Sequence, residues 1–145
     1  MPQFDDPLPE LPPPGGTVLC IEDDPFHMEV VEAVLARFDG IRMIKAYNGR
    51  DGVMLAQTEH PDVVLLDMNL PDITGLDVVR ELSLLISQRD LRIVLLTADS
   101  FSIDVVKALS LGAHDYWTKP MDAEHVRTSL PRLLDEVVRR RRGAA

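Results

Sequence analysis

Apolar residues fall along this chain in short blocks that alternate between two periods. Residues 63–66 are four consecutive apolar positions, β-branched at the start and followed by Pro71 and Gly75. Such a run reads as a strand buried on both faces of a parallel sheet. Residues 17–21, 41–46, 91–96 and 114–118 read as four further strands. Between the strands the spacing turns helical. Asp24 before Pro25 is an N-cap with proline at the first helical position, and Met28, Val31, Val34, Leu35 and Phe38 follow at helical intervals up to a stop at Gly40. Asn48-Gly49 opens a short helix through Val53, Leu55 and Ala56. A third helix from about Thr74 carries Val79, Leu82, Leu85 and Ile86, and a fourth carries Ile103, Val106 and Leu109 inward and stops at Gly112. The last starts near Asp122 with Val126, Leu130, Leu133, Leu134, Val137 and Val138, and Pro131 inside it is expected to kink or split it. Five alternations of strand and helix with short connections predict an α/β fold: a doubly wound, five-stranded parallel sheet with helices on both faces.

Composition narrows the class. The 145 residues suit one domain, and a net charge of −9 argues against nucleic acid as a general partner. A single cysteine, Cys20, excludes a disulfide framework and points to a reducing compartment. The four histidines (His27, His60, His114 and His125) show no metal-ligand spacing and read as surface or helix residues. No apolar stretch approaches membrane-spanning length, and the N-terminus lacks the basic and apolar parts of a signal peptide, so a cytoplasmic protein is expected. Residues 1–16 hold six prolines, three acids and a glycine pair, the composition of a disordered leader or linker. The domain is expected over 17–138. A basic tail follows over 139–145, its arginines at 139–142 reading as a solvated helix end.

The chemistry gathers at one edge. Strand one ends in Glu22 and Asp23, strand three in Asp67, strand four in Thr97 and strand five in Lys119. In open α/β sheets ligands bind at the carboxyl ends of the strands. Each residue alone has an ordinary reading: a turn aspartate, a strand-end threonine, a lysine reaching for solvent. Three carboxylates converging without purpose would repel one another, and an oxygen-rich, acidic site suits Mg²⁺, which leaves positions open for phosphoryl oxygens. Lys119 adds a compact positive charge and Thr97 a hydroxyl, the parts needed to hold a phosphoryl group in transfer.

These residues resemble, in order and spacing, the receiver domain of bacterial two-component response regulators, similar to the chemotaxis response regulator. The matching positions are Glu22-Asp23, Asp67, Pro71 and Gly75, Thr97-Ala98 and Lys119-Pro120, with 44 residues from Asp23 to Asp67, 30 more to Thr97 and 22 more to Lys119. The resemblance covers about 17–138. It implies a flavodoxin-like strand order 2-1-3-4-5 and Asp67 as phosphoacceptor. Asp23, Asp67 and the backbone carbonyl of Asn69 would be Mg²⁺ ligands, with Glu22 acting through a bound water. Lys119 would pair with Asp67, its bond to Pro120 cis, and Thr97 and Tyr116 would be the switch pair. The implied function is a phosphorylation-controlled switch, no enzyme beyond its own phosphotransfer and autodephosphorylation. A sensor histidine kinase or histidine phosphotransfer protein would supply the phosphoryl group. A downstream protein or tethered domain would read the face of the fourth helix, fifth strand and fifth helix.

Three features depart from the usual pattern: Trp117 where a smaller aliphatic is common, Pro131, and the proline-rich leader. Strand alternation sends Trp117 to the face opposite Tyr116. Two other classes compete. A pseudo-receiver would bind partners without phosphate, but here all five site residues are kept. A phosphatase with an aspartate nucleophile would want a second aspartate at 69, where asparagine stands, and room for a cap domain. With no effector module after residue 138, the chain is expected to be a stand-alone receiver or a piece of a hybrid kinase or multidomain regulator.

Overall fold

Strand β3 (Val63–Asp67) is buried at all five positions, as its unbroken apolar run requires. It lies at the centre of a five-stranded sheet with β1 (Gly16–Ile21), β2 (Ile41–Ala46), β4 (Arg92–Thr97) and β5 (Asp115–Thr118). The computed structural model describes residues 15–143, with side chains through 140, so all of the expected leader up to residue 14 and the last two residues of the expected tail lie outside the described residues. The order is β2-β1-β3-β4-β5 and every neighbouring pair is parallel, the doubly wound arrangement expected. In register, Ile21 pairs with Leu66, Asp67 with Leu96 and Thr97 with Thr118, so the functional strand ends come out level on one edge.

Alternation along the strands divides the core into two layers. Leu19, Ile21, Val64, Leu66, Ile93 and Leu95 meet α2 (Gly49–Glu59), α3 (Gly75–Glu81) and α5 (Ile103–Ser110), with α4 (Ser83–Arg89) at the rim. Val18, Cys20, Val63, Leu65, Val94, Leu96 and Trp117 meet α1 (Pro25–Leu35) and α6 (Ala123–Gly143) on the other face. No helix among the described residues is long and apolar enough to cross a membrane.

Several elements differ from their sequence-based expectation. The third helix breaks at Leu82, which has φ −98° and ψ 9° and separates α3 from α4, so the output helices of the resemblance are α5 and α6. Leu82 is fully buried, so the apolar stripe runs through the break, and its spacing could not reveal it. Helix α1 ends at Leu35, with Ala36 as cap, well before Gly40. Helix α5 turns Val105 and Ala108 inward and packs Leu109 partly against the core as expected, but leaves Ile103 and Val106 exposed, against expectation. It carries two apolar stripes, and Ile103 and Val106 lie on the outer one. Pro131 sits inside α6, which is assigned as one helix from Ala123 to Gly143. Arginines 139–142 belong to this helix, as their reading as a helix end expects, although the domain was expected to close at 138.

Candidate functional site

The first strand is extended one residue by the Glu22 N–H, which donates to Ala46 O at 3.0 Å. Its side chain is thereby sent inward and is fully buried. Glu22 Oε1 accepts the Asp24 N–H at 3.1 Å. Asp24 in turn caps α1 by accepting from Phe26 N at 2.9 Å, as its place before Pro25 predicts. Asp23 points out and is exposed. Asp67, the last residue of β3, is 2% exposed, and its Oδ1 accepts the Asn69 N–H at 3.0 Å. Carboxylate oxygens of Glu22, Asp23 and Asp67 all lie within 4.8 Å of one another.

Lys119 is delivered from the other side. Its N–H extends the β4–β5 ladder by donating to Thr97 O at 2.8 Å, and the Lys119–Pro120 bond is cis. Lys119 Nζ lies 2.9 Å from Glu22 Oε2 and 3.2 Å from Asp67 Oδ1. Burial works against its charge, but the Glu22 and Asp67 carboxylates outweigh that and hold the amine above the usual lysine range. Asp67 is pushed above the usual carboxylate range, first by burial and also by the charge of Glu22, against the opposing pull of the Asn69 N–H and Lys119. The cluster carries three carboxylates against one ammonium. It is an all-oxygen donor set with an excess of negative charge, so its residues fit a hard divalent cation.

Thr97 is buried at the end of β4. Its hydroxyl faces the loop that follows, donating to Asp99 O at 3.0 Å and accepting from Asp99 N at 3.1 Å. Tyr116 is 38% exposed, whereas Trp117 is buried on the opposite face and meets His125 edge-on at 5.0 Å. The structure thus brings Glu22, Asp23, Asp67 and Lys119 together, puts Asn69 beside them in the following loop, and holds the Thr97 hydroxyl on Asp99 and Tyr116 outside.

Two polar residues near the site escaped sequence reasoning. His27, in the first turn of α1, has its Nδ1 3.8 Å from Glu22 Oε1 and 3.5 Å from Asp24 Oδ2. Its place just after the acidic strand end was the available signal. Asp72, in the loop after Asp67, accepts the backbone N–H groups of Gly49 and Arg50 at 2.8 Å each. Nothing in the sequence marks that contact between residues more than twenty positions apart.

The family model described as the response regulator receiver domain matches residues 18–131. Protein PilH of Pseudomonas aeruginosa is 36% identical over 107 residues, which cover 74% of this chain and 88% of PilH. The "Probable transcriptional regulatory protein TcrX" of Mycobacterium tuberculosis is 38% identical over 118 residues, 81% of this chain but 49% of TcrX, so the chain spans about half the length of that relative. Among solved structures, the signal receiver domain of a signal transduction histidine kinase from Syntrophus aciditrophicus is 31% identical with a TM-score of 0.73, over 86% of this chain and 94% of that one.

Proposed function

The chain belongs to the receiver domain family of response regulators, and from that premise we propose that it is a phosphorylation-controlled switch whose phosphoacceptor is Asp67. The observation that carries the reading is the buried Asp67 carboxylate, fixed at a strand end within 4.8 Å of Glu22 and Asp23 oxygens and 3.2 Å from Lys119 Nζ.

Asp67 Oδ1 already takes the Asn69 N–H and the Lys119 ammonium. Oδ2 is therefore the oxygen that attacks. A phosphohistidine on a sensor kinase or phosphotransfer protein presents its phosphorus in line, the new O–P bond forms, and the P–N bond breaks with its electron pair on the departing imidazole nitrogen, which takes a proton from solvent. Asp23, Asp67 and the Asn69 carbonyl would hold Mg²⁺, with Glu22 acting through a water. When bound, the ion neutralises the carboxylates and supplies positive charge for the phosphoryl oxygens. Lys119 moves its charge from the two carboxylates to a phosphoryl oxygen as the acyl phosphate forms. Its amine stays protonated through neutral pH, held above the usual range by the two acids that outweigh its burial. Hydrolysis of the acyl phosphate by the domain itself resets the switch. The face of α5, β5 and α6, with Ile103 and Val106 exposed on α5, would carry the signal to a downstream protein or tethered domain.

The test is labelling by a small phosphodonor in Mg²⁺, read by mass spectrometry. Asp67→Asn abolishes the label, Asp77→Asn keeps it, and excess chelator stops it. A label that survives Asp67→Asn overturns the assignment.

A further inference from the structure

Helix α2 begins on a locally complete cap. Asn48 Oδ1 accepts the Asp51 N–H at 2.8 Å, and Asn48 Nδ2 donates back to Asp51 Oδ2 at 3.0 Å. That leaves the first two helical N–H groups, which have no partner within a helix. Both are taken from outside: Gly49 N donates to Asp72 Oδ1 and Arg50 N to Asp72 Oδ2, each at 2.8 Å. A carboxylate using both oxygens on a helix N-terminus also faces the positive end of the helix dipole. The neighbouring contact is steric. A Cβ on Gly49 would stand 2.4 Å from Ile73 Cγ1, so the loop sits in the hollow that only glycine leaves at that position.

The loop tied down in this way is the one that follows the acceptor. Met68 N donates to Leu96 O at 3.1 Å and Gly75 N to Met68 O at 3.1 Å, which fix its two ends. Asn69 lies between Met68 and Asp72, with its N–H on Asp67 Oδ1. We infer that Asp72 is a positioning residue: by latching the loop to the first turn of α2 it sets how Asp67 and the Asn69 carbonyl are presented to the cation. Asp72 is exposed, and the partial desolvation it meets at the helix end is outweighed by backbone N–H donors from Arg50, Gly49 and Ile73, which hold its carboxyl below the usual range. The latch is therefore charged and closed throughout neutral pH. It acts through Asp67 and Asn69, and the inference rests on the reading of those residues as the phosphoacceptor and cation site.

The experiment uses the whole chain and compares the parent with Asp72→Ala, Asp72→Asn and Gly49→Ala. Each is measured for Mg²⁺ binding by calorimetry, for labelling by a small phosphodonor at saturating and subsaturating Mg²⁺, and for thermal stability. The expected result for Asp72→Ala is Mg²⁺ binding about tenfold weaker, the low end of what loss of an outer partner costs a metal site. Labelling should fall at low Mg²⁺ and recover at saturation. Asp72→Asn, which keeps one acceptor oxygen and adds no cavity, should lie between parent and alanine. Gly49→Ala, which pushes Ile73 from the other side, should weaken binding in the same direction. A role confined to stability would lower the melting temperature and leave Mg²⁺ affinity of the folded protein unchanged, and that outcome overturns the inference. If Asp72→Ala does not fold, Asp72→Asn decides by the same criterion. A parent that neither binds Mg²⁺ nor takes the label overturns the functional reading itself, and the inference with it.

Discussion

Lys119 Nζ stands 3.2 Å from Asp67 Oδ1 and, on its other side, 2.9 Å from Glu22 Oε2, so one ammonium joins two buried carboxylates. Removing it leaves both buried acids without the ammonium, held only by the Asp24 and Asn69 backbone N–H groups. Lys119→Met should cost about 3–5 kcal/mol in metal-free protein at neutral pH, the usual penalty for breaking a buried pair from one side. Urea denaturation measures it, and a change near zero would mean that the pair carries no net stability. The sign with pH follows from the raised amine. Its contribution is fully present below the ordinary lysine value and disappears as pH rises through the higher folded value.

Asp67 shows the opposite economy. Burial above all, with Glu22 adding to it, raises this carboxyl in the folded state. A raised acid favours folding only below its unfolded value, and that advantage is lost as pH climbs through the folded value. At neutral pH the ionised, metal-free group is thus a local strain. Asp67→Asn should raise the melting temperature of the metal-free protein at pH 7, and the gain should shrink as pH falls into the carboxylate range. A less stable Asp67→Asn at pH 7 would show that Lys119 outweighs burial here.

Cation linkage supplies a separate check. With Glu22, Asp23 and Asp67 oxygens within 4.8 Å, Mg²⁺ should bind the folded chain and not the unfolded one. At a hundred times its dissociation constant it would stabilise the parent by about 2.7 kcal/mol. Asp67→Asn should lose most of that gain. Equal stabilisation of parent and variant would place the ion elsewhere.

Periodicity and strand-end chemistry made the sheet and the acid cluster legible before any coordinates. The apolar run at 63–66, the Asp24-Pro25 cap and the polar residue at each strand end each name one local structure, and parallel topology forces those ends to one edge. What stayed hidden was set by tertiary contact. The break at Leu82 lies inside an unbroken apolar stripe, and on α5 Ile103 and Val106 are at least as apolar as Val105 and Ala108, so hydrophobicity alone favours the pair that stays exposed. Asp72 reads as an ordinary loop acid until Gly49 and Arg50 are seen beside it. Thr97 was placed correctly at the edge, but the direction of its hydroxyl depends on Asp99.

Packing of α2 on the sheet depends on the absence of a single side chain. A Cβ at Gly52 would approach Ile21 Cδ1 to 2.4 Å and Ile21 Cγ1 to 2.7 Å, and Ile21 is fully buried. Alanine gains about 1 kcal/mol over glycine in a helix interior. Overpacking a closed core costs about 1–3 kcal/mol, so the two effects compete. The crowded atoms belong to a residue packed on all sides, so Gly52→Ala should come out net destabilising. Because Ile21 immediately precedes Glu22, Mg²⁺ binding should weaken as well. A stabilised Gly52→Ala would mean that Ile21 has room to turn away.

A change at the acceptor should be readable at the end of β4. Thr97 holds its hydroxyl on the Asp99 backbone through two hydrogen bonds, at 3.0 and 3.1 Å. Drawing it to a phosphoryl group on Asp67 must break that closed turn, at a cost of about 1 kcal/mol per bond that the charged acceptor can offset. Such a movement would reach β5 directly, since Thr97 pairs with Thr118 and Leu96 with Trp117. Tyr116 is half-exposed on one face, while Trp117 is held on the other against the His125 ring. Trp117 is the only tryptophan in the chain, so its emission reads the strand without a label. A stable phosphoryl mimic with Mg²⁺ should shift that emission, and Asp67→Asn should abolish the shift. Thr97→Ser, which keeps the hydroxyl, should retain it. Thr97→Ala should still take the label on Asp67 but respond weakly, because the acceptor is intact and only the link to β5 is missing. A Thr97→Ala protein whose emission follows the parent would break the coupling between Thr97 and Tyr116 while leaving the phosphoacceptor untouched.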